Sequence, residues 1–188
     1  MQHHFLAFFA FILVCSLILS GCTADTRTEK QPEPVLPGSE HQLIEPCALI
    51  SKSEGETLLG EPVKNAEKSE KQAVGMKLCM YNPQNEDSWA FLQITLTQPA
   101  FMPENSPPPS EIFHSIKDAL SESRTDLDGF GDEAFMATGG LYILKGEYYI
   151  SIGAGNIDRR EIQERLRSTG KTALKNLANL HENNKQGS

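Results

Sequence analysis

The chain is poor in the residues from which common active sites are built. Of 188 residues, five are histidine, four are cysteine and one is tryptophan. No HExxH, CxxC or GxSxG pattern occurs. The usual signatures of zincins, thioredoxin-like redox sites and α/β-hydrolases are therefore absent. His3 and His4 lie in an apolar leader, and His41 and His181 lie near the two ends. That leaves His114 as the histidine of the chain's body, and no serine there has a convincing His and Asp pair. Basic residues are also short, since 17 Lys and Arg against 25 Asp and Glu leave a net charge of −8. An acidic surface works against phosphate backbones and anionic lipid head groups, so nucleic acid is not expected as a partner. No apolar run reaches the roughly 20 residues of a comfortable transmembrane helix.

One run comes close. Phe5 to Leu19 is apolar except for Ser16. Its length suits the apolar region of a secretory signal, about 7–15 residues. It ends in Leu19-Ser20-Gly21-Cys22, which resembles the lipobox of bacterial lipoproteins. The resemblance implies cleavage before Cys22, a diacylglycerol on its thiol, and acylation of the new amine, palmitate being a typical chain. The leader departs from the usual pattern in carrying no Lys or Arg. Membrane contact would then come through the N-terminal lipid and not through charge.

Cysteine arithmetic follows. Cys15 leaves with the signal and Cys22 takes the lipid. Cys47 and Cys79 remain as one pair in an exported, oxidising compartment. They are too far apart, and lack the CxxC spacing, for a redox or metal pair. A disulfide between them would add about 3–4 kcal/mol in the chain-entropy account.

The expected organisation is a signal over 1–21, a lipidated flexible tether over 22–45, a globular domain over 46–181 and a disordered tail over 182–188. The tether is rich in Pro, Glu and Thr and cannot bury enough apolar area to offset its ordering entropy. Within the domain, Ser51 or Ser53 can cap a short helix that Gly60 ends. Residues 64–72 are charged and read as a loop. Residues 74–81 and 88–98 alternate and read as a hairpin joined by a turn at 82–87. Ala90, Leu92, Ile94 and Leu96 share one face. Trp89 and Phe91 fall on the other, expected to be a packed layer. A proline-rich loop at 99–110 leads to an amphipathic helix capped by Ser110. Residues 141–144 and 148–152 read as a second hairpin, and 157–180 as a last helix. The sum is a single α+β domain with an antiparallel sheet of about 4–5 strands. Its elements run helix, hairpin, helix, hairpin, helix.

The stretches PCALISKSEGETLLGEPV, GMKLCMY and GFGDEAF before LYILKGEYYISI are similar to a family of uncharacterised bacterial lipoproteins. Cys47, Leu59-Gly60, Cys79, Tyr81 and the turn from Gly129 to Ala134 carry the likeness, with Phe130 where Leu is usual. The resemblance implies a lipid-anchored extracytoplasmic α+β domain and supplies no catalytic residues.

The segment DLDGFGDEAF, 126–135, is the one acidic cluster with metal-like spacing. As a calcium loop it would use Asp126, Asp128 and Asp132 as first, third and seventh ligands. Phe130 and Ala137 then stand where the fifth and twelfth oxygens belong. A structural turn fits better, with Phe130 and Phe135 anchoring it. Met76, Met80, Met102 and Met136 raise a copper reading through their thioethers, but alternate strand spacing marks core more often than cofactor. No cofactor is expected. The functional expectation is a non-enzymatic binding or interaction domain of the bacterial cell envelope, acting on an envelope protein partner. It would sit on the outer membrane where the host has one, otherwise on the cell membrane. Alternatives are a small-ligand, calcium or copper carrier, and an accessory or inhibitor subunit of an envelope enzyme.

Overall fold

The computed structural model describes residues 42–186. The signal, Cys22 and most of the tether lie outside the described residues. The described part is built on one seven-stranded sheet in which every pairing is antiparallel. Strands β1 (Glu67–Lys71), β2 (Met76–Tyr81) and β3 (Leu92–Thr97) form one meander. Strands β4 (Thr125–Asp126), β5 (Glu133–Ala137), β6 (Gly140–Lys145) and β7 (Tyr148–Gly153) form another. The meanders join through β3 and β7, giving the order β1-β2-β3-β7-β6-β5-β4.

This corrects the expected sheet of four to five strands and its helix-hairpin order. Helix α1 (Lys52–Leu59) precedes three strands, and α2 (Pro109–Ala119) precedes four. Strand β1 was hidden because all five of its residues are exposed. It follows no apolar period and is held by its hydrogen-bonded register with β2. Its charges also suit an edge, since they discourage pairing with another chain. At the opposite edge β4 is only two residues long.

Alternation gives the sheet two faces. On the first, Cys79, Ile94, Ile152, Leu141 and Met136 form one register row across five strands. All five are buried. Helix α3 (Arg160–Gln186) lies across this face, with Ile162, Leu166, Ala173 and Leu177 turned inward. A Cβ on Gly170 would stand 2.7 Å from Leu141 Cδ2. Glycine at that place in α3 lets helix and sheet approach closely. The helix runs on through residues read as tail.

The N-terminal entry is sewn to the same face. Ile44 and the Gln98 side chain exchange two hydrogen bonds of 2.7 Å. Lys77 pairs with Glu45. The Cys47–Cys79 disulfide, with Cα atoms 5.3 Å apart, ties the turn Pro46–Ala48 to β2. Tyr81 Oη donates to Ile50 O at 2.7 Å, and Asn176 Nδ2 donates to Leu49 O at 3.0 Å. The capping box of Ser51 and Glu54 starts α1, and Gly60 closes it in the left-handed region.

Helix α2 covers part of the second face, over β7 and β6 and reaching Phe135 of β5. Phe113 is fully buried there, 5.4 Å from the Phe135 ring and 5.8 Å from Tyr149. The helix begins at Pro109 with Pro108 before it, not with a Ser110 cap. Proline suits the first helical position because its missing N–H has no partner to lose.

Candidate functional site

The acidic segment resolves into a strand and a turn. Asp126 lies in β4 and takes an ion pair from Arg124 Nε at 3.1 Å. Leu127 N donates to Ala134 O at 2.9 Å, closing the turn into β5. Phe130 is buried in the first-face core and Phe135 in the second. The two rings thus grip the sheet from opposite sides. Asp132 reaches away from Asp126, to the β6–β7 turn. Its Oδ1 accepts from Lys145 Nζ at 2.7 Å and its Oδ2 from Gly146 N at 2.6 Å. The Gly146 hydrogen bond, and then the lysine, hold its carboxyl below the usual range. Asp128 is exposed in the turn between them. Among the described residues, no group of three or more His, Cys, Asp or Glu could hold a metal ion.

The methionines divide between faces. Met76 and Met80 lie half-buried on the second face, while Met136 is buried in the first-face core. Met136 is thus across the sheet from Met76 and Met80, while Met102 packs against Gly75, the neighbour of Met76. His114 is held by Glu133, with Nε2 to Oε1 at 2.9 Å, and Lys117 Nζ meets Oε2 at 2.8 Å. Lys117, then His114, lowers the Glu133 carboxyl. The cluster pins α2 to β5.

Two surfaces have a form suited to binding. The first is the uncovered half of the second face. Leu78, Met76 and Met80 of β2 are half-buried there. His114 and Lys117 mark the flank of α2 that looks toward β5. By helical geometry Ile112 and Ile116 lie on the opposite flank, toward β3 and β2. Beside them opens a shallow groove of about 360 Å³, lined by Pro107, Glu111, Ile112, Ser115 and Ile116.

The second surface was misread in the sequence. Strand β3 starts only at Leu92, yet Ala90 still packs on the first-face core and Phe91 lies against Gly153 on the other face, so the misreading is of Trp89 alone. Trp89 is not in a packed layer but 96% exposed, against 47% for Leu43 and 38% for Val74. A tryptophan fully buried removes about 150–250 Å² from water, worth about 4–6 kcal/mol. Here none of that is realised. Yet the loop carrying it is well fixed. Gln84 N donates to Pro62 O at 2.9 Å, Ser88 N to Asn85 O at 3.1 Å, and Ser88 Oγ to Glu61 Oε1 at 2.8 Å.

Trp89 forms the rim of a cleft of about 320 Å³. The opposite wall is the turn from β7 into α3: Ala154, Gly155, Asn156, Arg159, Glu161 and Arg165. Arg165 Nε donates to Leu58 O at 3.1 Å, and Arg159 pairs with Glu161. A bond from its own backbone N–H, then Arg159, holds the Glu161 carboxyl low. The cleft therefore offers one flat aromatic face, an amide, two guanidinium groups and an ionised carboxylate. The only sequence signal for it was the polar run NPQNEDS before the single tryptophan.

No family model, curated protein or solved structure matches the chain.

Proposed function

We propose that this protein is a lipid-anchored, extracytoplasmic binding domain of the bacterial cell envelope, with no catalytic chemistry of its own. The signal-like leader and the lipobox at Cys22 support export and anchoring. The observation that supports binding is the uneven cover of the sheet. The first face carries the main core over β2, β3, β7, β6 and β5, while the second leaves Met76, Leu78 and Met80 half-buried. Methionine and leucine on such a surface adapt to a protein partner better than to a charged ligand. The net charge of −8 keeps the rest of the surface soluble and repels nucleic acid.

Photo-crosslinking in intact cells tests this. A photoreactive side chain replaces Leu78 in one strain and the exposed Lys171 of α3 in another. A discrete protein adduct from position 78, absent from position 171, is expected. If position 78 gives no adduct, or the two positions give the same pattern, the sheet face is not a docking surface.

A further inference from the structure

We propose that the cleft between Trp89 and the start of α3 is a saccharide-binding subsite, with the indole as a stacking platform. It lies apart from the uncovered sheet face, so either surface can fail its test without the other. Three observations carry the inference.

The first is the tryptophan itself. It is 96% exposed on a loop fixed by hydrogen bonds to Pro62, Asn85 and Glu61. The fixed backbone presents a large aromatic ring to solvent beside the cleft, where a ligand stacking on it would remove apolar area from water. A pyranose ring offers a matching face of C–H groups, whose slight positive charge suits the negative π-face of indole.

The second is the lining. Around the platform stand Asn156, Arg159, Glu161 and Arg165, with the backbone of Gly155. They mix donors and acceptors at close spacing, as a ring bearing several hydroxyls requires. A greasy peptide would need apolar walls, and Ala90, Ala154 and Ile162 supply little of that. At about 320 Å³ the cleft lies at the small end of ligand sites.

The third is the charge balance. Arg159 is paired with Glu161, and the loop brings Glu86 and Asp87 next to Trp89 in sequence. An anionic membrane would meet these carboxylates. A neutral polyhydroxyl ligand would not be penalised by them.

The chain's one tryptophan makes the test direct. The full lipidated chain, in a detergent without a sugar head group, is titrated with chitotriose and separately with maltotriose. A saturable blue shift of tryptophan emission and reduced acrylamide quenching are expected with at least one of them. By calorimetry, Trp89→Ala should weaken that binding about tenfold or more, the scale of a lost aromatic contact. Trp89→Phe should keep part of it, and Arg159→Ala should weaken it by a smaller factor. Melting temperatures should stay unchanged in the Trp89 variants, because an exposed ring stabilises nothing. If neither trisaccharide moves the emission at millimolar concentration, the proposal fails. It also fails if phosphatidylcholine vesicles shift the emission and the sugars do not, which would make Trp89 a membrane contact.

Discussion

Gly146 N donates to Asp132 Oδ2 at 2.6 Å, so an aspartate fourteen positions earlier caps the β6–β7 turn. Lys145 Nζ adds a second bond to Oδ1 at 2.7 Å. A carboxylate already engaged this way is poorly placed to serve as a calcium ligand. Asp132→Ala is expected to cost about 1–2 kcal/mol, since hydrogen bonds to charged groups are worth about 1.5–3 kcal/mol before exposure is discounted. The sign with pH follows from the lowered carboxyl. Its contribution is present above the unfolded aspartate value, near 3.9, and is lost as pH falls through the lower folded value. Urea titrations of wild type and variant should therefore converge on acidification. A calcium-dependent rise in melting temperature that Asp132→Asn abolishes would refute the structural role.

Gly131 and Gly146 both have positive φ, at 61° and 56°, but their surroundings differ. A Cβ on Gly131 would stand 2.4 Å from Leu144 O and 2.8 Å from Ile143 Cγ2. A Cβ on Gly146 would meet nothing within 4 Å. Both alanine variants carry the left-handed penalty of about 1–2 kcal/mol. Only Gly131→Ala adds overpacking, about 1–3 kcal/mol more. Equilibrium unfolding should rank Gly131→Ala well below Gly146→Ala. Equal losses would mean that the strand wall at Leu144 gives way freely.

These two glycines show where the sequence was readable. GFGDEAF marked a tight turn because glycine, aspartate and flanking phenylalanines each report a local need. The first-face row was readable from Leu92, Ile94 and Leu96, whose alternation is strict. Strand β1 was not, because EKSEK carries no apolar period and forms only against β2. Strand β2 was half readable. Met76, Leu78 and Met80 alternate as a core face would, yet Cys79 and Tyr81 are the fully buried side. The disulfide and the Tyr81–Ile50 bond decide that orientation, and both are long-range. Trp89 was misplaced for the same reason. Its exposure depends on a loop pinned by Pro62 and Glu61, residues of a different segment.

Cys79 is fully buried and Cys47 partly so, which makes their bridge an internal tie and not a surface staple. Replacing both with alanine is expected to cost about 3–4 kcal/mol, by freeing the unfolded chain over a separation of 32 residues. Urea unfolding with and without reductant checks this, and the reduced wild type should approach the variant. A loss under about 1 kcal/mol would show that the other ties to this turn suffice. Those are Ile44 to Gln98, Lys77 to Glu45 and Tyr81 to Ile50.

Three tyrosines sit almost out of water: Tyr81 at 2% exposure, Tyr148 at 5% and Tyr149 at 7%. Burial raises all three phenols, that of Tyr148 to about 12 with help from Glu147, and that of Tyr149 further, aided by Tyr142. A buried phenol resists ionising, while the unfolded one titrates near 10. The folded state then holds more protons than the unfolded state above pH 10. Stability from these groups is complete below pH 10 and is lost as pH rises through the folded values. Each contributes a slope of up to about 1.4 kcal/mol per pH unit. Lys77, raised chiefly by its bond to Glu45, adds loss of the same sign, so a tyrosine-specific comparison is needed. Tyr149→Phe removes the ionisation and keeps the ring against Phe113. It is expected to be close to wild type at pH 8 and more stable than wild type at pH 11, by urea unfolding. Parallel alkaline decline in both proteins would exclude the Tyr149 phenol and leave the loss to Tyr81, Tyr148 and the lysines.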